Sequence, residues 1–275
     1  MVSPSNDLVS VIMPTYNCGD FIGAAIDSVV QQSYPHWELI IVDDCSTDQT
    51  VSLIQQAQHH EPRITLLQNS SNLGGAGARN RAIAAAKGRF IAFLDADDCW
   101  LPHKLATQVQ QMQLHGYGFS FSAYHLIDEH DRPLGDVDVP RRVDYAMLLK
   151  HNYIGCLTAI YDTHQVGKVL MPVVRKRQDF ALWLQLLKRV DYAYGINQPL
   201  GCYRIRAGSL SGSKKDAFAY YWKVLRDVEG LSWLRSAYSI GWYLFIVACK
   251  KKWPTLYNYL FIRSSWKKQH PLPKS

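Results

Sequence analysis

The sequence predicts an α/β protein built on a doubly wound, mostly parallel central sheet, followed by a helical C-terminal extension. Two observations carry this. Short apolar, β-branched runs alternate with stretches of helical spacing through the first hundred residues, and each run stops at a polar cluster. The chain from Ala217 to Phe261 is instead aromatic-rich, with a helical reading interrupted by Pro254.

Taken in order, Leu8 to Met13 reads as a buried strand ended by Pro14, and Glu38 to Val42 as a second ended by Asp43-Asp44. Between them, Phe21, Ile22, Ala25, Ile26, Val29 and Val30 are spaced for one helix face, which completes a βαβ unit. The pattern repeats with a helix over Gln49 to His59, a strand over Ile64 to Gln68, a glycine-rich turn over Asn72 to Gly77 and a helix over Ala78 to Lys87. A strand over Arg89 to Leu94 then runs into Asp95-Ala96-Asp97-Asp98. Farther on, Pro102 to Leu114 reads as a helix, Gly118 to Tyr124 and Thr158 to Tyr161 as strands, and Phe180 to Arg189 as an amphipathic helix. Parallel sheets place ligands beyond the carboxyl ends of their strands, which is where the polar clusters fall.

At 275 residues the chain can bury a full core, and 48% hydrophobic with 19% charged residues excludes a largely disordered protein. The net charge of +7 is carried by the tail: no acidic residue follows Glu229, whereas Arg235, Lys250, Lys251, Lys252, Arg263, Lys267, Lys268 and Lys274 do. The first 229 residues are therefore close to neutral, which argues against nucleic acid as a partner. The six cysteines, at 18, 45, 99, 156, 202 and 249, have no metal-ligand spacing and read as reduced thiols in a cytosolic setting. Met1 to Asp7 has neither a basic nor an apolar region of a secretory signal.

Two carboxylates at a strand end, Asp95 and Asp97, can hold a hard divalent cation while leaving positions open for a diphosphate. The plain alternative is an acidic turn or a helix cap. Asp43 and Asp44 exceed what capping of the following helix by Ser46 or Asp48 requires, so one carboxylate is available to a base imide N–H or a ribose hydroxyl. The run Asn72 to Asn80 lacks both the GxGxxG of dinucleotide folds and the GxxxxGK[ST] of P-loops, which argues against both classes; the plain alternative is a flexible connection with Arg79 a surface charge.

Four segments, Val11 to Asn17, Val42 to Asp48, Gly77 to Asn80 and Phe93 to Asp98, resemble in order and spacing the successive motifs of the family 2 glycosyltransferases over roughly the first 110 residues. The resemblance implies a GT-A fold and inverting transfer from a nucleotide-sugar with Mn²⁺ or Mg²⁺. It divides the chain into a catalytic domain over 1–215, with a nucleotide-binding half to residue 110 and an acceptor-binding half beyond, and a C-terminal region over 216–275. It implies a nucleotide-sugar site formed by Pro14, Thr15, Tyr16, Asn17, Asp43, Asp44, Gly74, Arg79, Asp95, Ala96 and Asp97, the metal lying at Asp95 and Asp97. It also implies a base from a later Glu-Asp pair, which here reads Gln178-Asp179, with Gln178 and Trp183 toward the acceptor. Arg175, Lys176 and Arg177 are expected to lower the pKa of Asp179 and weaken it as a base.

The segment Gln178 to Leu184, with Pro199 and Tyr203-Arg204 following, is similar to the branch that builds teichuronic acid and O-antigen repeat units. That similarity implies a UDP-sugar donor, glucose or galactose favoured, and a lipid-diphosphate-linked saccharide acceptor. It brings Arg204 or Arg206, ahead of Ser209 and Ser211, toward the diphosphate. Ser236 to Cys249 is too short an uncharged run to span a bilayer unaided, but its aromatic and basic continuation suits a helix lying on anionic lipid, peripheral to the cytoplasmic face of the cell membrane. The alternative for the tail is packing on the catalytic domain. The competing function is a nucleotide-sugar-binding or scaffold protein with lost catalysis, suggested by Gln178. A nucleotidylyltransferase is disfavoured because Pro14 to Asn17 is not its glycine-rich basic signature.

Overall fold

The computed structural model describes residues 7–206 and 214–267. The start of the chain read for a signal, Ser209, Ser211, Lys268 and Lys274 lie outside the described residues, apart from Asp7. The elements follow in the order β1 (Val9–Thr15), α1 (Ile22–Val30), β2 (Trp37–Asp43), α2 (Thr50–His60), β3 (Ile64–Gln68), α3 (Gly74–Ala85), β4 (Phe90–Phe93), β5 (Cys99–Trp100) and α4 (Lys104–His115). Next come β6 (Phe119–Ile127), β7 (Pro133–Val137), β8 (Arg142–Val143), α5 (Tyr145–Leu148), β9 (Ile160–Asp162), α6 (Thr163–Val166), α7 (Gln178–Leu186) and β10 (Ala193–Arg204). The C-terminal region holds α8 (Lys214–Lys223), α9 (Trp233–Lys252), α10 (Pro254–Tyr257) and α11 (Ser264–Lys267).

One sheet runs β3-β2-β1-β4-β9-β6-β10-β5, with β7 paired to β6 and β8 to β10. The strands β3, β2, β1 and β4 are parallel, β9 is antiparallel to both its neighbours, and β10 returns parallel to β6. Alternation along the strands sorts the core into two layers. Val9, Val11 and Met13 share one cluster with Ile22 and Ile26 of α1 and Val109 of α4. Ile12, Ile40 and Phe93 share the other with Ala82 of α3, Leu182 of α7 and Ile240 and Ile246 of α9. The C-terminal helices therefore pack on the same core as the sheet.

Two boundaries and one burial pattern differ from the sequence reading for identifiable reasons. β1 continues through Pro14 to Thr15, because Ile12 O accepts from Leu94 on the β4 side while Thr15 O accepts from Asp44 on the β2 side. The missing N–H of Pro14 thus faces β4, which ends at Phe93 and asks for no bond there. α3 begins inside the glycine run, since the Asp44 carboxylate caps it from a distance by accepting from the Leu73 and Gly74 N–H groups. Gly74 has φ +72°, the left-handed region that only glycine enters without strain. α7 is buried nearly all round rather than amphipathic: Phe180, Ala181, Leu182, Trp183, Leu184 and Leu186 are all enclosed. β5, β7, β8 and β10 carry no alternating signal; β10 includes Pro199 and shifts register on either side of it.

Candidate active site

The ends of β1, β2 and β4, the start of α3, the start of α7 and the end of β10 converge on one group of charged side chains. Arg79, on the second turn of α3, pairs through Nη2 with Asp95 Oδ1 and donates through Nη1 to Gln178 Oε1 at 3.3 Å. Its side chain is only 12% exposed. Burial opposes the charge on this guanidinium, but Asp95, with Asp179 farther off, outweighs it and holds the pKa above the ordinary arginine value. Gly75 makes room for this geometry: a Cβ there would stand 2.9 Å from Arg79 Nη1. Arg79 therefore joins the Asp95 motif to the start of α7.

Asp97 faces Arg206, with 2.8 Å between Oδ2 and Nε. Burial first, and then the neighbouring Asp95, raise its pKa, while Arg206 lowers it. Asp98 is buried; its Oδ1 accepts from the Arg204 N–H at 2.8 Å, which ties β10 to the motif. Ala96 is buried and small, so it lets Asp95 and Asp97 share one edge.

Arg204 does not reach the diphosphate position expected of it. It is 3% exposed, donates to Asp97 O at 2.9 Å and Asp128 O at 3.1 Å, and pairs with Asp131 at 2.8 Å. The β6–β7 turn captures its guanidinium, and Arg206 is the cation that faces the carboxylates. Trp183 is also corrected as an acceptor contact. It is fully buried, with its ring 5.3 Å from Phe93 and 5.4 Å from Phe119, because α7 turns that face into the core.

Of the β2 carboxylates, Asp44 is committed to the fold: it accepts from Asn69 Nδ2, Leu73 N and Gly74 N at 2.7–2.8 Å. Asp43 gives one oxygen to the Ser46 N–H at 3.1 Å, while its Oδ1 is buried without a partner, as is Oγ1 of Thr15 directly across the ladder. Tyr16, beside them, is 51% exposed. Asn17 uses its side chain to accept from the Thr47 N–H at 2.8 Å, and so fixes the loop. Pro14 and Gly74 shape the backbone of the two rims.

Asp179 is half-buried at the first turn of α7. Its pKa is raised, not lowered: burial dominates and Asp95 adds to it, against the Phe180 N–H, Arg79 and Arg177. The expected lowering by Arg175 and Lys176 is absent because Arg175 is exposed and Lys176 lies 5.8 Å over the Tyr220 ring. Cys156, half-buried beside Arg79, Asp95 and Asp179, escaped the sequence reading because a lone cysteine carries no spacing signal.

The residues fit a divalent cation at Asp95 and Asp97. Two partly buried carboxylates repel one another there, and the rise in the Asp97 pKa is relieved by positive charge. No group of three acidic, histidine or cysteine side chains is gathered to cage an ion among the described residues. Mg²⁺ and Mn²⁺ sites on diphosphate substrates need only one or two carboxylates, the substrate supplying the remaining oxygens.

Comparison with known proteins bears on the family and the fold. Residues 10–162 match the family model "Glycosyl transferase family 2". The chain is 43% identical over 232 residues to the putative teichuronic acid biosynthesis glycosyltransferase TuaG of Bacillus subtilis, covering 84% of this chain and 92% of that protein. It is 39% identical over 222 residues, 80% and 86% of the two chains, to the Escherichia coli UDP-Glc:alpha-D-GlcNAc-diphosphoundecaprenol beta-1,3-glucosyltransferase WfgD. Among solved structures, S. aureus TarS 1-349 in complex with UDP superposes with a TM-score of 0.64 at 19% identity, over 91% of this chain and 74% of that one. The mannosyltransferase PcManGT of Pyrobaculum calidifontis, in complex with GDP-Man and Mn²⁺, superposes with a TM-score of 0.59 at 20% identity, over 90% and 76%. The chain therefore belongs to glycosyl transferase family 2, a glycosyltransferase of GT-A fold.

Proposed function

We propose that this glycosyltransferase moves a hexose, glucose in preference to galactose, from a UDP-sugar to a lipid-diphosphate-linked saccharide with inversion at the anomeric carbon. The observation that carries the reading is a pair of contacts at the Asp95 motif: Arg206 faces Asp97, and Arg79 bridges Asp95 to Gln178, the residue before Asp179. The name of WfgD, a UDP-Glc glucosyltransferase acting on GlcNAc-diphosphoundecaprenol, supports the donor and acceptor classes, and that of TuaG supports a place in polysaccharide synthesis.

In this reading the uracil stacks on exposed Tyr16 and its imide N–H donates to Asp43 Oδ1, the oxygen that lacks a partner. Asp44, with its hydrogen bonds already made, holds the loop that cradles the nucleotide. Asp95 and Asp97 would hold Mn²⁺ or Mg²⁺, which would supply Lewis-acid stabilisation of the leaving diphosphate. Arg206 balances charge on the same side. Asp179 takes the proton of the acceptor hydroxyl, whose oxygen bonds to the anomeric carbon as the bond to the β-phosphate oxygen breaks. A pKa raised by burial makes Asp179 a stronger base than a solvated aspartate. The inactive-scaffold alternative rests on Gln178, but that amide accepts from Arg79 and leaves Asp179 as the carboxylate on α7.

No helix among the described residues is long and apolar enough to cross a membrane. Membrane contact is proposed through α9, whose outward Leu234, Tyr238, Gly241 and Phe245 follow one face, with Leu234 74% and Tyr238 59% exposed. Lys250, Lys251 and Lys252 close that helix and exposed Trp253, Leu256 and Tyr259 follow, a composition suited to the anionic cytoplasmic leaflet.

The test is a donor screen with purified protein, Mn²⁺ or Mg²⁺, UDP-, GDP- and dTDP-sugars and a synthetic GlcNAc-diphosphate-lipid. Metal-dependent release of UDP with a glycosylated product, lost in Asp97→Ala and Asp179→Asn, is the expected result. Donor binding without turnover on any lipid-linked acceptor would favour the scaffold.

A further inference from the structure

The two residues that bracket Gln178-Asp179 are both gripped by rings from the C-terminal helices. On one side, Arg177 donates through Nη2 to the Tyr243 hydroxyl at 3.3 Å, and its guanidinium lies 5.1 Å from the Tyr221 ring and 5.6 Å from the Tyr243 ring. On the other side, Phe180 stacks on Tyr221 at 4.8 Å and 14°. Tyr221 in turn stacks on Tyr243 at 4.7 Å. Tyr221 is fully buried and its hydroxyl donates to Leu149 O at 2.8 Å, so the stack is anchored to the catalytic domain.

Arg177 has φ +61°, a left-handed conformation that is strained for a non-glycine residue. It also stands where α7 would take a side-chain cap, and none is made there. The negative faces of the two rings attract the guanidinium, and these contacts act against that strain together with the hydroxyl bond. The backbone turn that leads into Gln178-Asp179 is thus gripped by side chains of α8 and α9.

We infer that Tyr243 of α9 and Tyr221 of α8 are positioning residues for the catalytic base, which makes the C-terminal helices part of the catalytic apparatus as well as the membrane-facing element. This rests on the assignment of Asp179 as base. Tyr243 is on the face of α9 opposite Tyr238, so one helix carries both the proposed lipid contact and the clamp.

The experiment compares the full chain with Tyr243→Leu, Tyr243→Phe, Arg177→Met and Asp179→Asn. It reads UDP-glucose affinity by calorimetry, kcat and acceptor KM in detergent without lipid vesicles, and amide exchange over residues 175–181. Tyr243→Leu and Arg177→Met should lower kcat 10-fold or more and speed exchange in that segment, with UDP-glucose affinity within about two-fold of wild type. Tyr243→Phe, which keeps the stack and loses one neutral–charged hydrogen bond, should recover most of kcat. Unchanged kcat in Tyr243→Leu, or unchanged exchange over 175–181, would overturn the inference. An active Asp179→Asn would instead remove the base assignment, while the exchange measurement would still report on the clamp.

Discussion

Asp44, buried, and Asp179, half-buried, are carboxylates at the rim of the same sheet, but they are held by opposite means. Asp44, at the end of β2, accepts from two backbone N–H groups and one amide, all within 2.7–2.8 Å, and serves the fold of the donor half. Asp179 has the Phe180 N–H as its near donor, and its position comes from rings on distant helices. A group saturated by fixed donors is stable and chemically idle. A group left short of donors in a buried place is less stable and more basic, which is the condition a catalytic base needs.

That contrast can be broken most sharply at Asp179. Asp179→Asn should lower kcat about 10²–10⁴-fold while UDP-glucose binding by calorimetry stays near wild type. A matching loss of donor affinity would mean that the two halves do not act separately. The next effect is on stability. Asp44→Ala strands three donors and should cost about 2–4 kcal/mol in urea unfolding, whereas Asp179→Asn should be no less stable than wild type at pH 7. The sign follows from linkage: a carboxyl whose folded pKa is raised favours folding while protonated, and that contribution is lost as pH rises through the folded value.

The same shift governs activity. kcat/KM should fall on the acid side with a midpoint above the ordinary aspartate range, and a pH profile with the midpoint at or below that range would contradict the burial argument. Membrane contact is tested by Leu234→Ser with Tyr238→Ser and Phe245→Ser in sedimentation with anionic vesicles, where a several-fold loss of bound protein is expected. Truncation after Gly230 is a poorer test, because it also removes Tyr243. The smallest effect is at Lys104, fully buried on α4 with Nζ lacking a partner and lying 3.9 Å over the Trp100 ring. Its pKa is depressed by burial, so the unfolded chain binds more protons between that depressed value and 10.5, and stability rises with pH across that window. Lys104→Met should flatten that slope and raise the melting temperature by about 2–4 °C.

The donor half was legible because its information is local. A β-branched run that ends in Asp43-Asp44 or Asp95-Ala96-Asp97 announces both a strand and the rim it reaches, and four such runs fix a parallel sheet and its ligand edge. The start of α3 was misplaced because its cap comes from Asp44, thirty residues earlier. The acceptor half was opaque for the same reason on a larger scale. Arg204 and Arg206 look alike in sequence, and only the turn that carries Asp128 and Asp131 separates a structural arginine from one facing Asp97. Trp183 reads as an acceptor contact until its face of α7 is seen buried in the core. The pKa of Asp179 could not be signed from its basic neighbours, since Arg177 turns to Tyr221 and Tyr243 and burial outweighs it.

The central claim is single displacement by an acceptor hydroxyl deprotonated at Asp179. It is tested most directly by the anomeric configuration of the product formed from α-linked UDP-glucose and a GlcNAc-diphosphate-lipid, read from the anomeric proton by NMR. A β-linked glucoside, absent in Asp179→Asn, is the predicted result. An α-linked product would show retention and contradict the account.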